Sequence, residues 1–168
     1  VRVGRIRLHE DGRFDTRVPD EVDQVRAEAA GRAPGEEVEV GQGLELGPGD
    51  DVVTTDHEHI GGRSAWELVT RRRGANLVQA RLPVPASSSE ALLEAVWSRV
   101  TPATRVVSVS HVLFTNGTIL PVEALSFRCR EAGIVFVVDG AHPPGLMPVD
   151  IGEISPDFYL SSPHKWLL

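Results

Sequence analysis

Four apolar runs of the sequence each end in groups that can move protons. The run "IVFVV" (134–138) is followed by Asp139 and, three residues on, His142. The run "DFYLSS" (157–162) delivers His164 and Lys165. "DVVTT" (51–55) is followed by Asp56, His57, Glu58 and His59, and "RVVSVS" (105–110) by His111. In open α/β sheets ligands bind beyond the carboxyl ends of the strands. If these runs are neighbouring parallel strands, their ends line one pocket.

Several chemistries compete for such a set. A metal site could draw on His57, His59, Asp139 and His142, but "DHEH" lacks the helical His-x-x-x-His spacing and Lys165 would repel a cation. No G-x-S-x-G motif supplies a serine nucleophile. "GQGLELGPG" lacks the spacing and the preceding strand of a dinucleotide loop. A lysine held in a pocket can form a Schiff base with an aldehyde cofactor. A carboxylate beside a pyridinium nitrogen keeps that ring electron-withdrawing. Lys165 and Asp139 suit these two roles for pyridoxal 5'-phosphate. His57 reads as a solvated loop residue and His111 as a structural hydrogen-bonder. Trp66, Trp97 and Trp166 read as packing groups, and Cys129 as a small buried hydrophobe.

The elements that must position these groups alternate regularly from residue 44. Helices are predicted over 64–73, 87–100 and 121–133, with Gly74 and Gly133 as stops and Pro121 as a start. Ser87 and Glu90 have capping-box spacing, and Leu92, Leu93, Val96 and Val100 form one apolar face. Strands are predicted over 51–55, 76–82, 105–110, 134–138 and 157–162. Alternation of this kind implies an α/β fold, a mostly parallel sheet with helices on both faces. The N-terminal stretch differs. Residues 1–18 read as a hairpin around Asp11-Gly12, 20–30 as a short helix and 31–37 as a polar loop.

With 168 residues, one domain with a real core is affordable. The net charge of −7 argues against a general nucleic-acid binder. A single cysteine rules out an internal disulfide framework and makes a reduced, cytoplasmic setting the expectation. No apolar run approaches membrane-spanning length. The first residue is Val and the sequence stops three residues after Lys165, so a fragment of a longer protein is expected.

"VVDGAHPPGLMPVDIGEISPDFYLSSPHKWLL" closely resembles the cofactor-binding core of class V aminotransferase-fold enzymes, within them the isopenicillin N epimerase-like branch. "QGLELGPGDDVVTTDHEH" and "SHVLFTNGTILPV" resemble earlier stretches of the same enzymes. The resemblance runs from about residue 42 to 168. It implies a partial fold-type I large domain over 42–168 behind a divergent segment, 1–41. It implies pyridoxal phosphate as cofactor, an amino acid as substrate and a homodimeric full-length parent. By the same resemblance Lys165 holds the cofactor and moves the proton at the substrate's α-carbon. Asp139 partners the pyridine nitrogen and His142 the ring's phenolic oxygen. His59 stacks on the ring, with a catalytic part, and Ser162 and His164 help hold the phosphate. Transamination, racemisation and elimination all stay open. So do two alternatives: a cysteine desulfurase or kynureninase-like lyase, and a non-catalytic truncated remnant.

Three departures from the family pattern stand out. "GRAPGEEVEVG" (31–41) holds no Thr or Ser where the family carries a Thr-bearing phosphate cradle. Phe114 stands where desulfurases place an Asn near the ring. The family continues far beyond the lysine, and a desulfurase's persulfide cysteine belongs to that further part, so Cys129 is not its equivalent.

Overall fold

The structure is a computed structural model that describes residues 36–166. The hairpin expected over 1–18 and the helix over 20–30 lie outside the described residues. The expected loop over 31–37 is corrected at its end, because helix α1 (Glu36–Gly43) starts there. Val38 and Val40 are buried, and α1 packs on α2 (Ile60–Arg73). That approach is close: a Cβ on Gly41 would lie 2.9 Å from Val69 Cγ2. Tertiary packing, not local propensity, makes this short polar stretch helical.

The remaining elements are β1 (Asp51–Thr55), β2 (Asn76–Ala80), α3 (Ser89–Trp97), β3 (Thr104–Ser110), α4 (Val122–Glu131), β4 (Val135–Asp139), α5 (Ile151–Ile154) and β5 (Phe158–Leu160). A 3-10 turn, Pro163–Lys165, follows β5. The five strands form one sheet in the order β2-β1-β3-β4-β5, and every neighbouring pair is parallel. Side chains alternate across it, as strand geometry requires. Val52, Val106 and Val137 pack with Val40 of α1 and with Trp66 and Val69 of α2 on one face. Val53, Val107, Val109, Phe136 and Val138 pack with Leu92, Leu93 and Val96 of α3 and Leu125 and Cys129 of α4 on the other. The expected parallel sheet with helices on both faces is what forms. No helix among the described residues is long and apolar enough to cross a membrane.

Helix ends follow local chemistry, with one shift from expectation. The cap of α3 is Ser88, not Ser87: Ala91 N donates to Ser88 Oγ at 3.1 Å. Gly74 ends α2 at φ 71°, a left-handed position that glycine adopts without strain. The single-turn α5 went unforeseen. Asp150 caps it, accepting from Glu153 N at 3.0 Å, and Ile154 is buried in the core with Ile151 packed against it.

The strand order has a consequence for the site. The chain leaves β1 toward β2 on one side, then returns to β3 and builds outward on the other. The crevice at the carboxyl ends of β1 and β3 is where such a sheet opens to a ligand. Among the described residues β5, the strand before Lys165, pairs with β4 alone.

Candidate functional site

Asp139 is the last residue of β4, held between two parallel neighbours. It stands abreast of Ser110 in β3 and Leu160 in β5. His111 N donates to the Asp139 carbonyl at 2.9 Å, and Gly140 N to the Leu160 carbonyl at 2.7 Å. Its carboxylate is half-buried, and Oδ1 accepts from Ala141 N at 2.9 Å. That bond turns the chain sharply and brings His142 back over the strand end.

His142 then meets Lys165 from the turn after β5: Lys165 Nζ lies 3.4 Å from His142 Nε2. The Lys165 backbone N donates to the Ser162 carbonyl at 3.0 Å, which sets the turn. Partial burial lowers the His142 pKa, the Lys165 and His59 charges lower it further, and Asp139 opposes them. With Lys165 as an ammonium, its bond to Nε2 requires that nitrogen to accept. The neutral imidazole then carries its proton on Nδ1.

His59 comes from the end of β1 and caps α2. Gly61 N donates to its Nδ1 at 3.1 Å, which leaves Nε2 to carry the ring proton. The ring meets Phe114 edge-on, at 5.2 Å between centroids and 82° between planes. Phe114 is itself half-exposed, so an aromatic pair rims the pocket from the β1 and β3 loops.

The structure thus gathers Lys165, His142, Asp139 and His59 at one end of the sheet. Ser162 and His164 share the turn of Lys165. Among the described residues no hydrogen bond ties either side chain to that group, and His164 is exposed. Two other readings change. His57 is not a freely solvated loop residue: its Nδ1 lies 2.9 Å from Thr115 Oγ1, tying the β1 exit to the loop after β3. Trp166 is no packing group of a strand or helix face, being exposed and 6.3 Å from the His142 ring. Trp66 and Trp97 do pack. Trp66 is buried and donates to Ser108 Oγ at 2.8 Å, and Trp97 lies under the Arg128 guanidinium.

Sequence reasoning gave three important residues no role. Glu58 reaches from the β1 exit to β3. Its Oε1 accepts from Thr55 Oγ1 at 2.5 Å and Ser110 N at 3.2 Å, and its Oε2 from Ser110 Oγ at 2.6 Å. Burial pushes this carboxyl up to about 7, against the hydrogen bonds that favour its charge, and the Asp139 charge adds to the rise. Thr55 three residues before Glu58 was the available signal, though the partner Ser110 lies 52 residues away. Tyr159 lies beneath Gly140 on the other face and reaches His111 Nδ1 through its hydroxyl at 3.0 Å. Burial raises the Tyr159 pKa and lowers that of His111, so both are neutral props. Gly140 is required by this contact: a Cβ there would lie 1.9 Å from Tyr159 Cε1.

Comparison with known proteins agrees with this geometry. The family described as Aminotransferase class-V matches residues 38–168. An isopenicillin N epimerase of Streptomyces clavuligerus is 40% identical over 129 residues, covering 77% of this chain and 32% of that protein. A cysteine desulfurase of Haloferax volcanii is 36% identical, covering 72% of this chain and 28% of that protein. A solved structure of a C-DES variant with glycine covalently linked to its PLP cofactor superposes with a TM-score of 0.68 at 26% identity, covering 77% of this chain and 34% of that one. The chain spans about a third of the length of the curated relatives it matches.

Proposed function

This chain belongs to the aminotransferase class-V family, and from that premise we propose that it is part of a pyridoxal-phosphate enzyme acting on an amino acid. The observation that carries the reading is the donor set at the sheet's end. A carboxylate, an imidazole and an amine converge there from β4 and the turn after β5. Asp139 has Oδ2 beyond its bond to Ala141, so it can face a protonated ring nitrogen. Lys165 supplies an amine for a carbonyl carbon, and His142 beside it supplies a ring N–H for a neighbouring oxygen. This spacing of anion, donor and amine fits a flat cationic heterocycle bearing an aldehyde and a hydroxyl. The phosphate end fits less completely. Ser162 and His164 are its proposed partners, and residues 31–43 hold no Ser or Thr to add.

When bound, such a ring withdraws electrons and stabilises negative charge developing at a substrate's α-carbon. The residues of this chain do the rest. Lys165 holds the ring in place and, once released, carries the α-proton on its amine. Asp139 keeps the ring nitrogen protonated through a charge-assisted hydrogen bond. His142, neutral beside the Lys165 charge, orients the ring and helps Lys165 shed its proton. His59, its orientation fixed by the Gly61 amide, covers the ring's other side with Phe114 behind it.

Phe114 against His59 favours an epimerase-like reaction over the desulfurase alternative. Cys129 does not serve as a sulfur acceptor either, because it is buried and burial pushes its thiol up to about 12. A desulfurase reading therefore needs a cysteine outside residues 1–168. Residues 42–168 are proposed as part of the large cofactor-binding domain, with 1–41 a divergent segment before it. The parent is proposed to be a cytoplasmic homodimer. The test is direct. The full-length protein, purified with pyridoxal phosphate and dialysed, should keep a visible absorption band that Lys165→Ala lacks. A dialysed protein with no band would overturn the reading.

A further inference from the structure

Resting on the cofactor reading above, we propose that Glu58 is a positioning residue for Asp139, clamping the ends of β1 and β3 and giving up a proton when a cation seats against Asp139. The geometry begins at the crevice where β1 and β3 diverge. Both Glu58 oxygens are committed there: Oε1 to Thr55 Oγ1 and Ser110 N, Oε2 to Ser110 Oγ. Ser110 stands abreast of Asp139 in the parallel register. Adjacent strands lie about 4.8 Å apart, so the two carboxylates are one strand from each other on the same face.

Titratable groups approach Glu58 from three strand ends. Asp56, His57 and His59 flank it in the chain, His111 follows Ser110, and Asp139 closes β4. Of these, Asp139 is the one whose charge acts on it, and it opposes ionisation. The Asp139 charge also acts on His142, which in turn lies 3.4 Å from Lys165 Nζ. Two like charges this close disfavour each other, so neutralising one releases the other. A cation paired with Asp139 therefore lowers the Glu58 pKa from its empty-site value. The coupling is reciprocal: seating the cation releases a proton, and the cation binds more tightly as pH rises through the window between the two Glu58 values.

Glu58→Gln separates charge from shape. Its amide oxygen can accept from Thr55 Oγ1 and Ser110 N, and its amide nitrogen can donate to Ser110 Oγ. The clamp survives and the proton is lost to titration. In the cofactor-free full-length protein, labelled with 13C at glutamate carboxyls, the resonance that Glu58→Gln removes should titrate with a midpoint of about 7. Asp139→Asn should move that midpoint down by about half to one unit. A midpoint at the ordinary glutamate value, or one that Asp139→Asn leaves in place, overturns the proposal. Calorimetry of pyridoxal phosphate binding in buffers of different protonation enthalpy supplies the second readout. At pH 7 the wild type should release about a third of a proton more per cofactor than Glu58→Gln, as a fall of half to one unit from a midpoint of about 7 requires, and equal release overturns the proposal. A protein that binds no cofactor sinks the cofactor reading instead, and the carboxyl titrations alone then decide the Glu58–Asp139 coupling.

Discussion

Asp139→Asn is expected to slow turnover of the full-length protein by about one to two orders of magnitude while leaving the cofactor bound. The neutral amide keeps the shape and can still accept from Ala141 N, so the turn that presents His142 survives. What is lost is one charge-assisted hydrogen bond to the ring nitrogen, worth about 1.5–3 kcal/mol. That energy matters where negative charge develops at the substrate's α-carbon, so kcat should fall more than KM rises. Steady-state kinetics with an α-deuterated substrate provide the check. The variant should show a larger isotope effect, because proton removal has become the slow step. Unchanged kcat would show that Asp139 is not the nitrogen's partner.

Gly140→Ala is expected to cost about 2–4 kcal/mol of stability, a large share of what a domain has. The added Cβ would be placed 1.9 Å from the Tyr159 ring, well inside any van der Waals contact. Gly140 N is bonded to the Leu160 carbonyl and Asp139 is locked between strands, so the backbone has no room to retreat. Tyr159 must then swing away, which breaks its bond to His111 and leaves a buried imidazole without that partner. Urea unfolding of the full-length protein measures the loss. Tyr159→Leu should be costly alone, but Gly140→Ala should cost much less in that background, because the clashing ring is gone. Equal costs in both backgrounds would show that the Gly140–Tyr159 approach is not what requires glycine.

Much of this fold was legible because β1, β3 and β4 are mostly β-branched runs buried on both sides, a pattern that water-facing segments do not sustain. The positions of Asp139 and His142 followed, since both lie at or just past the end of such a run, and Lys165 comes from the turn after the short strand β5. Other features depended on contacts that chain order hides. Glu58 acquires its role from Ser110, and the two meet only because β3 inserts beside β1 rather than beside β2. Gly140 looks like an ordinary turn glycine until Tyr159 is seen beneath it. Helix α1 has no strong local signal and exists through Val38, Val40 and Gly41 against α2. Ser87 and Ser88 are equivalent to a spacing rule, and backbone geometry alone selects Ser88 as the cap. The placement of Ser162 and His164 beside a phosphate rests on resemblance, and the turn that carries them contributes only the Ser162 carbonyl bond to Lys165.

The central claim is that Lys165 is the residue joined to the cofactor, with His142 beside it and Asp139 at the far end of the ring. The most direct measurement is chemical. The full-length protein is loaded with pyridoxal phosphate, reduced with borohydride and digested, and the peptide carrying the stable pyridoxyl label is sequenced by mass spectrometry. The label should fall on Lys165, within the peptide that begins before "DFYLSSPHK". A label on any other lysine, or no label at all on a protein that retains bound cofactor, would contradict the account.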